Sequence, residues 1–198
     1  MAENLALLLL TAFPLMGSPG PATLSIAATA SEFGVFRSLR YMAGVTLGTA
    51  TVMLMIATGF TGILFAVPGV LPVLTAAALG YILYLAYKIA TAPALPRNAG
   101  GRTPPSMAGG LLLAIGNPKA FAAIGVIYAS VVVVPGHPAL DAFAKLVTLF
   151  LLVVIINSSW LVLGASLARF LRNPRTGRII NLCFAALLVL SVVMVALI

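Results

Sequence analysis

The chain has 198 residues, of which 62% are hydrophobic and 7% charged, with a mean hydropathy of +1.19. Soluble domains carry about a quarter charged residues, so this composition excludes a soluble globular domain and defines an integral membrane protein. The net charge of +8 does not indicate a nucleic-acid partner, because most Lys and Arg sit in short stretches between apolar runs, where membrane topology places them.

At about 20 apolar residues per span, the length accommodates six helices in one transmembrane domain, 1–198. The segments expected are Leu5–Ala30, Tyr41–Val67, Leu71–Ala92, Met107–Val134, Ala142–Leu171 and Ile179–Ile198. These are continuous apolar runs, not the alternating strands of a β-barrel. The N-terminus, Met1-Ala2-Glu3-Asn4, lacks the basic residues that open a signal peptide, so the first segment is expected to be retained. Cys183, the one cysteine, has no partner for an internal disulfide.

Gly17-Ser18-Pro19-Gly20-Pro21 lies inside the first apolar run. Two prolines remove backbone donors where no water can replace the lost hydrogen bonds, and such backbone is tolerated only when buried in protein or lining a cavity. The half-helix beginning near Pro21 then presents free N–H groups and the positive end of its dipole to a carboxylate. Pro19, Gly20 and Pro21 are candidate substrate contacts on this ground.

In the second segment Gly44, Thr46, Gly48 and Thr49 allow close helix approach, and Thr46 is a candidate contact. Tyr81, Tyr84, Tyr87 and Lys88 end the third; their spacing suits interfacial anchoring, with Tyr81 deep enough to face a cavity. A breaker-rich loop, 93–105, joins halves of roughly 1–92 and 106–198.

Gly116-Asn117-Pro118-Lys119 interrupts the fourth run as the first was interrupted. A lysine there costs roughly 2.5–3.5 kcal/mol on insertion scales and is functional by default. Lys119 either pairs with a substrate carboxylate or exposed carbonyls, or snorkels to the nearer face. Asn117 and Pro118 shape the break. In the fifth segment Asn157 and Ser158 either line a cavity or hold helices together, while Trp160 suits packing.

Arg37 and Arg40, Arg97 and Arg102, and Arg169 to Arg178 occupy alternate connections; the opposite ones carry only His137, Asp141 and Lys145. The positive-inside rule then places both termini outside. Three spans per half with paired breaks imply an inverted repeat, a 3+3 all-α membrane fold interrupted in its first and fourth helices.

Pro19-Gly20-Pro21 with Gly34, Gly44 and Gly48, Tyr81 to Leu85, Gly110 with Asn117-Pro118-Lys119-Ala120, and Trp160 with Asn173-Pro174-Arg175 resemble the LysE/RhtB family of small amino-acid exporters. The resemblance implies amino-acid efflux across the bacterial inner membrane by alternating access, driven by protons, without a cofactor. Ala22 stands where the family often has asparagine, and Ala86 where it has glycine. No acidic residue lies at mid-depth, which points to neutral or small apolar amino acids. A homo-oligomer stays open. The competing readings are a metal-ion or other small-solute exporter, which lacks a Cys, His or carboxylate cluster, and a lipid-modifying membrane enzyme, which lacks acid–base groups gathered at one face.

Overall fold

The computed structural model describes residues 2–59, 70–91, 103–171 and 174–196. Among them are seven helices and no strand: α1 (Ala2–Gly17), α2 (Pro21–Ala57), α3 (Val70–Ala90), α4 (Met107–Ile115), α5 (Pro118–Ser130), α6 (Pro138–Leu171) and α7 (Pro174–Ala196). The expected loop 93–105 lies outside the described residues up to 102, as do the end of the second segment, Arg97, Arg102, Arg172 and Asn173; so do the side chains of Tyr81, Lys88 and Arg169.

The expected breaks fall where the prolines are. α1 stops at Gly17 and α2 starts at Pro21, a residue whose fixed φ and missing N–H suit a first helical position. The fourth segment divides into α4 and α5, bent by 56° across Gly116 and Asn117. α2 differs from expectation. Instead of a loop carrying Arg37 and Arg40, the chain turns at one residue, Gly34 (φ 78°, ψ 171°), inside a 37-residue helical element. Those dihedrals are open essentially only to glycine, so a single residue replaces the loop. Arg37 and Arg40 lie exposed on the helix, with Arg37 5.5 Å above the Phe33 ring.

The first limb of α2, 21–33, is the centre of the fold. From Thr23 to Ser31 every residue is buried, which means neighbours on all sides. Small side chains permit this, and their hydroxyls are satisfied internally: Ser25 donates to the Ala22 carbonyl (2.8 Å), Thr29 to Ser25 (2.7 Å) and Ser31 to Ala28 (2.8 Å). α2 packs chiefly on α6 and α4, and α3 on α7. Glycines set the closeness. A Cβ at Gly44 would strike the Met107 backbone, at Gly110 the Tyr41 carbonyl, and at Gly164 the Ala27 backbone.

Large apolar side chains point outward, among them Leu10 (74% exposed), Phe36 (87%) and Leu112 (64%). Such a surface suits contact with lipid. Two helices, α2 and Pro138–Leu167 of α6, are long and apolar enough to cross a membrane alone; α4 with α5 forms a third span if the bent pair is taken as one. α3 and α7, of 21 and 23 residues, reach roughly 30 Å at 1.5 Å per residue, the thickness of the hydrocarbon core.

Candidate functional site

Each proline at the first break removes a donor, and each orphaned carbonyl has found another. In a continuous helix the Pro19 nitrogen would serve the Leu15 carbonyl, which instead accepts from the Ser18 hydroxyl at 3.1 Å. Pro21 would serve Gly17, whose carbonyl accepts from the Trp160 indole nitrogen of α6 at 3.2 Å. The carbonyls of Ser18 and Pro19 take the Lys119 ammonium, at 2.7 and 3.3 Å, and Nζ also reaches the Ser18 hydroxyl at 2.8 Å. The Gly20 amide donates to the Thr23 hydroxyl at 3.0 Å. One ammonium and one indole thus bind the broken chain to elements about a hundred residues away.

The second break is closed locally. Asn117 caps α5, its side-chain oxygen accepting from the Lys119 amide at 3.1 Å, and the Asn117 amide donates to Ala114 at 3.2 Å. This capping directs Lys119 off the first turn of α5 toward the end of α1. The two breaks expected from sequence meet through it, and Lys119 reaches inward rather than snorkelling.

The first main-chain bond of α2 runs from the Leu24 amide to the Gly20 carbonyl at 2.9 Å. The Ala22 and Thr23 amides precede it and are the orphan donors found at any helix N-terminus. Gly20, Ala22, Thr23, Asn117 and Lys119 line a small cavity, with Thr49 from the second limb of α2 and Asn157 from α6. The rest of its wall is apolar, including Met16, Ile124 and Ile156, and no Asp or Glu lines it among the described residues. Its volume is about 50 Å³. That admits water-sized bodies, so a larger guest requires the walls or Lys119 to move.

Asn157 is 4% exposed and donates to the Thr46 hydroxyl, 7% exposed, at 3.0 Å. Thr46 therefore stands behind the cavity wall, as the support for Asn157. An amide has a second hydrogen and an acceptor oxygen, so Asn157 keeps capacity for a guest. Replacing it by alanine removes this bond while the Thr46 hydroxyl keeps its own bond to the Met42 carbonyl at 2.9 Å, and should lower stability by about 1 kcal/mol, seen as a lower melting temperature in detergent. An unchanged melting temperature would mean the bond to Thr46 contributes nothing net.

Pro19, Gly20, Pro21, Asn117, Pro118, Lys119, Asn157 and Thr46 are thus brought to one region. Ser158 is half-buried and lies outside the cavity wall. Sequence reasoning passed over Thr23, named Ser18 only as part of the break and Thr49 only for helix approach, and assigned Trp160 to packing. Its bond to Gly17 spans 143 positions, a separation local patterns do not report.

A second cavity, about 690 Å³, opens between the end of the first α2 limb (Thr29, Glu32, Phe33), the end of α3 (Tyr84, Tyr87) and the start of α4 (Ser106, Gly109). At the other end of α5, Asp141 and Lys145 correct a further expectation. Asp141, expected in the connection before the fifth segment, lies with Lys145 in α6; Lys145 is 3% exposed, and its Nζ is 2.7 Å from the Asp141 carboxylate.

Described residues that are helical throughout their regular elements, lipid-type surfaces, two broken helices and a small cavity with a lysine at their junction mark a multi-pass membrane transporter. The sequence model of the LysE type translocators matches residues 14–197, and the chain belongs to that family, whose members are transporters. It is 32% identical over 178 residues to the cysteine/O-acetylserine efflux protein of Escherichia coli O157:H7, covering 87% of each chain. With the protein of that name from Salmonella typhimurium it shares 38% over 86 residues, 41% of this chain and 42% of the relative. The chain thus spans less than half the length of the Salmonella relatives it matches. Among solved structures there is no significant match.

Proposed function

We propose that the protein exports small neutral amino acids, of the cysteine and O-acetylserine class, by alternating access across the inner membrane. The observation that carries this is the central cavity: a lysine and a helix N-terminus face it, and no carboxylate does. A zwitterion brings a carboxylate that the Lys119 ammonium and the Ala22 and Thr23 amides attract. As Lys119 turns to that carboxylate it leaves the Ser18 and Pro19 carbonyls, which then accept the substrate ammonium. Asn117, Asn157 and Thr49 supply further hydrogen bonds, and the apolar wall receives a short side chain. A lysine or arginine substrate would place a second cation beside Lys119 with no acid to offset it.

The names of the relatives support the same class. Among the described residues there is no group of three or more His, Cys, Asp or Glu, which gives a metal-ion cargo no support. In this reading α1 with the first limb of α2, the second limb and α3 form three spans; α4 with α5, α6 and α7 form three more, inverted relative to the first. The domain is single, with the joint between its halves at 93–105. Tyr81 stays a candidate by its position on α3. Positive-inside topology puts the large cavity in the cytoplasm and both termini outside. Proton coupling follows the resemblance to the family.

Liposomes carrying the purified protein and loaded with unlabelled O-acetylserine should accumulate labelled O-acetylserine and cysteine by exchange, and should not accumulate labelled lysine. Exchange of lysine alone, or movement of cadmium without amino acids, would overturn the reading.

A further inference from the structure

The pair of Asp141, partly exposed, and Lys145, buried, has no part in the cavity. The Asp141 carboxylate accepts from the Val133 and Val134 amides, at 2.6 and 3.0 Å, and from Lys145 at 2.7 Å. Lys145 also donates to the Tyr128 carbonyl at 3.1 Å and lies 5.3 Å over the Tyr128 ring. Asn4 of α1 donates to the Val133 carbonyl at 3.2 Å. Asp141 thus ties the segment after α5 to the start of α6, Lys145 ties α6 to Tyr128 of α5, and Asn4 ties α1 to the same segment. Asn157 of the central cavity is roughly 24 Å further along α6 at 1.5 Å per residue. Between the two stands a dry wall of Leu8, Val52, Met53, Ile124, Ile127 and Leu149, each 0% exposed. The large cavity opens beyond the centre on the opposite side, at Glu32 and Ser106. The molecule is open at one end and locked at the other.

We infer that the Asp141–Lys145 pair is a latch that shuts the release side. Among the described residues, the charged or titratable groups facing the Asp141 carboxyl are Lys145 on α6 and Tyr128 on α5. All three contacts on the carboxylate are donors. A proton on Asp141 weakens the two amide bonds and leaves the Lys145 ammonium buried without its counter-charge, a costly arrangement. The lysine then moves to solvent, and the end of α5 is freed from α6. This rests on the export reading, in which substrate leaves on that side.

The test needs no substrate, so its outcome is separable from that of the transport assay. In a Cys183→Ser chain carrying Ile127→Cys, alkylation of the buried thiol in detergent is compared with the same chain denatured at the same pH. Adding Asp141→Asn should speed this normalised rate about tenfold at pH 7. The parent should keep its rate from pH 7 down to about 4 and accelerate only below that, and the asparagine variant should show no such rise. A companion Ala30→Cys chain, at the opposite end, should stay protected throughout. No acceleration by Asp141→Asn, a retained pH response in that variant, or equal exposure of both cysteines would overturn the latch. The last would mean that the pair merely holds the fold.

Discussion

Replacing Lys119 by methionine should reduce exchange of O-acetylserine roughly ten- to a hundredfold, with the protein still present in the membrane at its usual level. A hydrogen bond to a charged group contributes about 1.5–3 kcal/mol, and each 1.36 kcal/mol is tenfold. Lys119 makes three such contacts at the first break. Methionine keeps much of the stem and removes the ammonium, so the carbonyls of Ser18 and Pro19 lose their donor and the cavity loses its cation. Abundance in the membrane and transport separate the two roles. Loss of both would make the lysine a structural cap only; loss of transport alone is the expected result. Retained transport would remove Lys119 from the substrate path.

The second large effect is steric. Gly164→Leu should unfold or strongly destabilise the protein, because its Cβ alone would lie 2.5 Å from the Ala27 Cα, where α6 crosses the buried limb of α2. Backbone on both sides cannot yield without parting the helices. Overpacking of this kind costs about 3 kcal/mol or more, equivalent to a fall of roughly 6 °C or more in melting temperature at this chain length. Gly125→Ala is the contrast: nothing lies within 4 Å of its added Cβ, and alanine is the better helix former, so its melting temperature should hold or rise. Similar behaviour of the two variants would show that the α2–α6 approach is not set by Gly164.

The breaks were legible because proline has local consequences. Pro19, Pro21 and Pro118 each delete a donor wherever the chain goes, and membrane depth makes the deletion matter. Lys119 was legible because a cation inside an apolar run has few acceptable fates. The partners of those groups were not legible. That Trp160 serves Gly17, or that Lys119 reaches Ser18 across 101 positions, depends on how helices pack, and single-sequence periodicity carries no such information. The loop expected around Arg37 gave way to one residue because polar character alone does not separate a loop from an exposed helical turn; the φ of Gly34 decides it. Asp141 and Lys145 sit at i and i+4 near Pro138, a spacing that marks a helical ion pair. Reading the stretch as a connection hid that spacing. That the first limb of α2 is buried on every side was not legible for a different reason. Its Ala, Ser and Thr residues show no apolar stripe, because a helix buried on every side has none to show.

The account stands on one claim, that the junction of the two breaks is where substrate binds. Ala120, half-buried in the cavity wall beside Lys119, tests it directly when changed to cysteine in a Cys183→Ser chain. O-acetylserine, at concentrations that saturate its exchange, should slow alkylation of that thiol severalfold, and lysine at the same concentration should leave the rate unchanged. Alkylation indifferent to O-acetylserine while transport continues would place the substrate elsewhere and contradict the claim.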